Sequence, residues 1–202
     1  MLRVGLTGGL ASGKTFVGRA LAELGCFLME ADELGHQVMA KVAEAYQPIL
    51  TAFGPGILND DAEIDRRKLG AEVFGNPDLL AKLSAIVHPA VRARGKVLVE
   101  TFAAREPHGI SVYEAAILVE TGSFRDFDRL IVASCTREQQ IDRAVQRDHL
   151  THKEVLDRLS RQMPLEQKVK YADYVIDTSG TKEHTLDQTR TVYASLRSLA
   201  QP

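Results

Sequence analysis

In the stretch GLTGGLASGKTF, residues 5–16, Gly8, Gly13, Lys14 and Thr15 stand at the spacing G-x-x-x-x-G-K-[ST]. The chemistry this allows is capture of a phosphate chain. Successive backbone N–H groups can close around a small anion where no Cβ obstructs the turn, and a helix amino terminus adds its partial positive charge. Lys14 would supply a mobile cation for the β- and γ-phosphates of a nucleotide, and the Thr15 hydroxyl a ligand for Mg²⁺. Background residue usage supplies such a pattern in about 1% of chains of this length. The alternative is an ordinary glycine-rich turn with a solvated lysine. Against it stand an apolar strand-like run just before the loop and a helical pattern after it that carries Val17, Leu21 and Leu24.

Such a loop needs a sheet to hold it. Short apolar runs rich in β-branched residues at 2–6, 26–29, 110–113, 130–134 and 174–177 predict five core strands. They alternate with helical segments, which argues for a parallel α/β sheet. About eighty residues separate the second run from the third, too many for a loop. That segment predicts helices at 33–53, 66–74 and 77–105, the last with a break near HPA at 88–90. A second helical excursion spans 137–172. There TREQ and THKE both carry capping-box spacing, and Pro164 suits the start of a short helix. The closing segment predicts an amphipathic helix with Leu186, Val192, Leu196 and Leu199 near one face.

Composition excludes several classes. With 202 residues, 45% hydrophobic and 26% charged, the chain can bury a sizeable core, most simply as one unit with insertions. A net charge of −2 gives no broad basic field for nucleic acid. The longest apolar runs, such as AAILV at 115–119, are far too short to span a membrane. No amino-terminal leader is expected, because the glycine-rich loop begins where an apolar leader core would lie. Cys26 and Cys135 have no metal or redox spacing and are expected as buried thiols in a reducing cytoplasm. The histidines at 36, 108, 149 and 152 show no metal-site pattern and are expected at the surface.

Ligands of open α/β sheets gather beyond the carboxyl ends of the strands. Glu30 and Asp32 fall there, at the end of the second strand. Asp32 has two open roles from spacing alone: a base or orienting group for an acceptor hydroxyl, or a cap for the next helix. Arg143 and Arg147, four apart, share a helix face that suits phosphate oxygens, yet Asp142, Asp148 and Asp157 offer them surface ion pairs. His88, before Pro89, fits a turn as well as a ligand contact. Glu114 either reaches a metal through water or simply ends the third strand.

Taken in order, GLTGGLASGKT, EADELGHQV, IDRRKLGAEVF, HPAV, CTREQQIDRAVQRD and ADYVIDTSG resemble the dephospho-coenzyme A kinase family over nearly the whole chain. The resemblance implies a P-loop NTPase fold: a five-stranded parallel sheet flanked by helices, with a helical substrate-binding insertion and a helical lid. The core would comprise 1–32, 110–136 and 173–202, the insertion 33–109 and the lid 137–172. The implied reaction moves the γ-phosphoryl group of ATP to the ribose 3′-hydroxyl of dephospho-coenzyme A, with Mg²⁺ bridging phosphates. Asp32, Lys14 and Arg143 would be catalytic. ATP would lie against Gly9, Ala11, Ser12, Gly13, Lys14, Thr15, Phe16, Arg143 and Arg147, with Thr15 on the metal. The acceptor would meet Thr7, Asp32, Arg66, His88 and Glu120.

Three positions depart from the family pattern: Glu30 and Glu114 replace aspartates and Ala116 a proline, while Glu120 is kept. Neither nucleic acid nor a membrane is an expected partner, and a monomer or weak homo-oligomer is expected. Two other readings remain: a P-loop kinase of another nucleotide-like metabolite, and an ATP-sensing module without transfer chemistry.

Overall fold

The computed structural model describes residues 1–73, 75–148 and 151–201; Phe74, which closes one predicted helix, and His149 lie outside them, as does the side chain of Asp148. Five strands form one sheet: β1 Leu2–Gly8, β2 Phe27–Glu30, β3 Ile110–Glu114, β4 Arg129–Ser134 and β5 Tyr174–Asp177. The order is β2-β3-β1-β4-β5, and every pairing is parallel. β1 lies in the middle, with Leu6 opposite Glu114 on one side and Ile131 on the other. Its residues from Val4 to Gly8 are all buried, as a strand covered on both faces requires. Leu6, Val17, Leu21, Val112, Ile131, Ile176 and Leu196 pack into the main core.

The helices are α1 Lys14–Glu23, α2 Ala31–Met39, α3 Tyr46–Phe53, α4 Arg66–Val73, α5 Pro77–Arg105, α6 Arg137–Asp148, α7 His152–Leu159, α8 Leu165–Lys168 and α9 Lys182–Ala200. The chain divides into two compact units, one comprising Met1–Glu30 with Phe102–Pro202 and the other Ala31–Thr101. The first holds the whole sheet. The second is helical; in it Asp65 starts α4 by accepting the N–H groups of Arg67 (2.8 Å) and Lys68 (3.2 Å). Those bonds hold the Asp65 carboxyl below its usual range.

Three helix expectations change. The predicted helix 33–53 is two helices, because the chain turns between them with Val42 at φ 61, a value that no helix accommodates. The expected break at residues 88–90 does not occur. Pro89 sits inside the 29-residue α5. Its missing N–H frees the carbonyl of Ala85, and both residues lie on an exposed face where solvent can satisfy it. On α9 the buried stripe is Thr185, Thr189, Val192, Leu196 and Ala200, whereas Leu199 is exposed. Thr185 and Thr189 enter the core by returning their hydroxyls to the carbonyls of Thr181 and Thr185. Both capping boxes form: Thr151 with Glu154, and Thr136 with Gln139 by reciprocal 3.2 Å bonds.

Candidate active site

β1 ends at Gly8 and α1 begins at Lys14, so residues 9–13 carry the chain from sheet to helix. Gly13 takes φ 85 and Ala11 φ 52. For alanine this left-handed conformation is unfavourable, and strain of this kind concentrates where a loop must aim its backbone. A Cβ on Gly8 would strike the Ser12 hydroxyl and stand 2.8 Å from the Ala133 carbonyl, and one on Gly9 would strike the Gln140 amide. The segment therefore folds as a tight turn whose amides precede a helix amino terminus, the form of an anion nest.

At the mouth of this turn Lys14 and Thr15 meet one carboxylate. Glu114, the last residue of β3, places Oε1 3.1 Å from Lys14 Nζ and accepts the Thr15 hydroxyl at 2.7 Å. Only 5% of Glu114 is exposed, and its Oε2 has no partner among the described residues. A hydroxyl and a carboxylate supply hard oxygen donors of the kind Mg²⁺ takes, together with phosphate oxygens and water. Among the described residues no group of three His, Cys, Asp or Glu side chains could hold an ion by itself.

The rear of the loop is held by residues distant in sequence. Gln140 on α6 donates to the Leu10 carbonyl at 2.7 Å, and Gln162 accepts the Leu10 N–H at 2.9 Å. Thr178, just past β5, donates to the Ser12 carbonyl at 2.7 Å. Lys168, fully buried at the end of α8, donates to the carbonyls of Ala116 (2.6 Å) and Gly8 (3.2 Å) and pairs with Glu120 at 2.7 Å. Burial lowers the proton affinity of Lys168, while the hydrogen bond and charge of Glu120 oppose that shift.

The other expected site residues fall as follows. Thr7 is buried and donates to Ala116 O at 3.2 Å. Ala11, Phe16 and Gly13 lie in the loop and first helical turn, all half-buried. Arg143 is half-buried on α6 and donates to the Thr178 carbonyl at 2.7 Å; Arg147 is exposed on the same helix. Glu120 is engaged by Lys168 and by the Met163 N–H at 3.0 Å. Within the helical unit Asp32 is the second residue of α2, exposed, and makes no capping hydrogen bond among the described residues. Arg66 opens α4 and His88 lies in α5, both exposed. Among the histidines expected at the surface, 108 and 152 are exposed, whereas His36 is half-buried and stands 3.6 Å from Glu33, three residues before it on α2. Both cysteines are buried and free.

Sequence reasoning thus found the loop and left Glu114 undecided. It missed Gln140, Gln162, Lys168 and Thr178. Gln140 and Thr178 fall inside the segments CTREQQIDRAVQRD and ADYVIDTSG, yet nothing in their spacing names a partner in the loop, and a lysine within LEQKVKY reads as an ordinary solvated helix residue.

An open parallel sheet with a strand-loop-helix phosphate cradle at its central strand, and a buried carboxylate against the loop's Lys and Thr, defines the P-loop kinase class. A solved structure described as TT1252 from Thermus thermophilus aligns with a TM-score of 0.80 and 28% identity over 96% of each chain. The dephospho-CoA kinase family model matches residues 2–184, and this chain belongs to that family. Dephospho-CoA kinase of Aquifex aeolicus is 38% identical over 196 residues, covering 97% of this chain and 98% of its own. That of Geobacillus kaustophilus is 43% identical over 188 residues, covering 93% and 92%.

Proposed function

We propose that this protein transfers the γ-phosphoryl group of ATP to the ribose 3′-hydroxyl of dephospho-coenzyme A, giving coenzyme A and ADP. This is the final step of coenzyme A synthesis. Membership of the dephospho-CoA kinase family supports the substrate pair. The observation that carries the chemistry is the convergence of Lys14 and Thr15 on buried Glu114 beside an amide nest.

In this reading the loop amides and Lys14 hold the β- and γ-phosphates and neutralise charge that spreads over the equatorial oxygens during transfer. Thr15 and Glu114 would hold Mg²⁺, which when bound shields the phosphates and draws charge from the leaving oxygen. Lys14 then leaves Glu114 for the nucleotide, since one ammonium cannot serve both fully. Arg143 likewise exchanges the Thr178 carbonyl for a phosphate oxygen as residues 137–172 close, with Arg147 beside it on the helix. Asp32, two residues past the end of β2, takes or orients the hydroxyl proton of the acceptor. Arg66 and His88 would contact the acceptor from the helical insertion, and Thr7 and Glu120 from the sheet unit. Closure matters because water is a competing acceptor. A cytoplasmic setting belongs to this reading, supported by two buried unpaired thiols.

Incubation with ATP, Mg²⁺ and dephospho-coenzyme A, followed by mass spectrometry, should show the gain of one phosphate on the acceptor. Phosphorylation of nucleosides or nucleoside monophosphates instead would assign the loop to another metabolite. ATP binding with no acceptor-dependent turnover would make the chain a sensor.

A further inference from the structure

The carbonyls of Gly8, Leu10 and Ser12 alternate along the phosphate loop, and each is taken by one buried side chain. Lys168 Nζ reaches Gly8 O at 3.2 Å, Gln140 Nε2 reaches Leu10 O at 2.7 Å, and Thr178 Oγ1 reaches Ser12 O at 2.7 Å. These side chains are 0%, 5% and 6% exposed. They come from α8, from α6 and from the turn after β5, three segments with no shared spacing.

Their placement has a directional consequence. In a planar trans peptide the N–H of one residue points opposite to the carbonyl of the residue before it, and no peptide bond among the described residues is cis. Holding each of these carbonyls therefore turns the N–H of the next residue, Gly9, Ala11 or Gly13, away from the side chain that holds it. The intervening N–H groups are used differently: that of Leu10 goes to Gln162 and that of Ser12 to Gly9 O. The N–H groups of Ala11 and Gly13 donate to no acceptor among the described residues. Ala11 and Gly13 are also the loop residues held at positive φ. Amides left without an acceptor in a turn that carries left-handed residues can converge on an anion.

Each holding group is costly to place. Lys168 gives up hydration for three oxygens, and Gln140 loses rotamer freedom for a single carbonyl. Neither is needed to complete a helix or strand. Thr178 adds shape: a Cβ on Gly13 would stand 3.2 Å from its side chain. The Thr178 hydroxyl also lies 3.1 Å from Ser134 O, but the shorter contact is to the loop.

We infer that Lys168, Gln140 and Thr178 are positioning residues that fix the phosphate loop from behind, directing the amides of Gly9, Ala11 and Gly13 at the nucleotide phosphates. This rests on the ATP-dependent reading given above. Because Gln140 and Lys168 belong to the 137–172 segment, that segment and the loop are set together: α6, which carries Arg143 and Arg147, also shapes the cradle through Gln140.

Lys168 is a poor first test, since removing it strands Glu120. The experiment uses Thr178→Val, Thr178→Ser and Gln140→Met in the full chain, with calorimetric titration of ATP and Mg²⁺ in the absence of acceptor. Thr178→Val and Gln140→Met should each weaken ATP binding about tenfold, equivalent to roughly 1.4 kcal/mol. Thr178→Ser, which keeps the hydroxyl, should stay within about twofold of wild type. In turnover, KM for ATP should rise by the same factor while KM for the acceptor does not move, a split that general loss of packing would not produce. Wild-type affinity in both Thr178→Val and Gln140→Met overturns the inference, as does a serine variant as weak as the valine one. If either variant fails to fold, the other decides. Wild-type protein that binds ATP but leaves dephospho-coenzyme A unchanged refutes the proposed reaction and leaves the positioning role standing. Variants that bind ATP normally in an active enzyme do the reverse.

Discussion

Glu114 accepts the Thr15 hydroxyl at 2.7 Å, joining the end of β3 to the first turn of α1. The bond depends on β1 and β3 being neighbours with Leu6 opposite Glu114, so that a residue 99 positions away arrives beside the phosphate loop. The same oxygen holds Lys14 at 3.1 Å. One buried carboxylate therefore holds both Lys14 and Thr15.

Glu114→Gln should keep the hydrogen bond to Thr15 and lose the charge. The Mg²⁺ concentration for half-maximal rate is expected to rise by at least about tenfold, since altering even a partner of a metal ligand costs that much. Titrating Mg²⁺ at saturating ATP reads this directly; an unchanged midpoint would remove Glu114 from the metal site.

Lys14→Ala should leave the circular dichroism spectrum and sheet intact, since Lys14 is on the first helical turn and packs no core. It should reduce kcat by at least about a hundredfold, the usual loss when a group that stabilises transferring charge is removed. An ADP-release assay measures it, and near-normal kcat would refute the phosphate-loop mechanism.

Asp32→Asn preserves size and the exposed position on α2 while removing the carboxylate charge. A fall in kcat of about a hundredfold or more, with KM for ATP nearly unchanged, is the outcome expected of a hydroxyl-orienting aspartate. Steady-state kinetics with dephospho-coenzyme A varied separates this from a helix-dipole role, which would alter melting and spare kcat.

Glu120→Ala leaves the fully buried Lys168 ammonium without its carboxylate. Stability should fall by roughly 2 to 3 kcal/mol, less than for a pair wholly removed from water. Urea unfolding measures the loss. Adding Lys168→Met should recover part of it, because the stranded charge is then gone.

Burial pushes the Cys26 thiol up to about 12 from an ordinary 9.0, against a smaller opposing effect of Arg197. The folded state therefore holds this proton over a range in which the unfolded chain has released it. Its stabilising effect is whole below about pH 9 and is lost as pH rises toward 12. Urea midpoints of wild type and Cys26→Ala should converge over that interval, and native protein at pH 8 should react with iodoacetamide far more slowly than denatured protein. Equal rates would show an open site.

Legibility in the sequence followed the range of the interaction. All five strands could be read because each is a short apolar run between polar segments; β5 has the expected bounds, and no strand end differs from expectation by more than two residues. The capping boxes could be read because a three-residue spacing contains the whole interaction. Pro89 misled, since a local rule about proline says nothing of whether the freed carbonyl faces water. Leu199 misled on α9, where threonines that satisfy their own hydroxyls take the inner face. Glu114 was visible as a residue but not as a partner, because nothing near it in the chain names Lys14 or Thr15.

The sequence by itself located the phosphate loop, since its glycines, lysine and threonine all fall within residues 8–15 at a recognisable spacing. It also determined the class of sheet, through the alternation of apolar strands with helical segments. Tertiary structure alone decided what surrounds that cradle. The order β2-β3-β1-β4-β5 places the ends of β3, β4 and β5 around the end of β1, and so delivers Glu114, Gln140 and Thr178 to it, while Lys168 arrives from α8 ahead of β5, all from 99 to 166 positions away. Contacts of that range follow from which strands lie side by side, a result of packing the whole core, and no spacing within the chain encodes them.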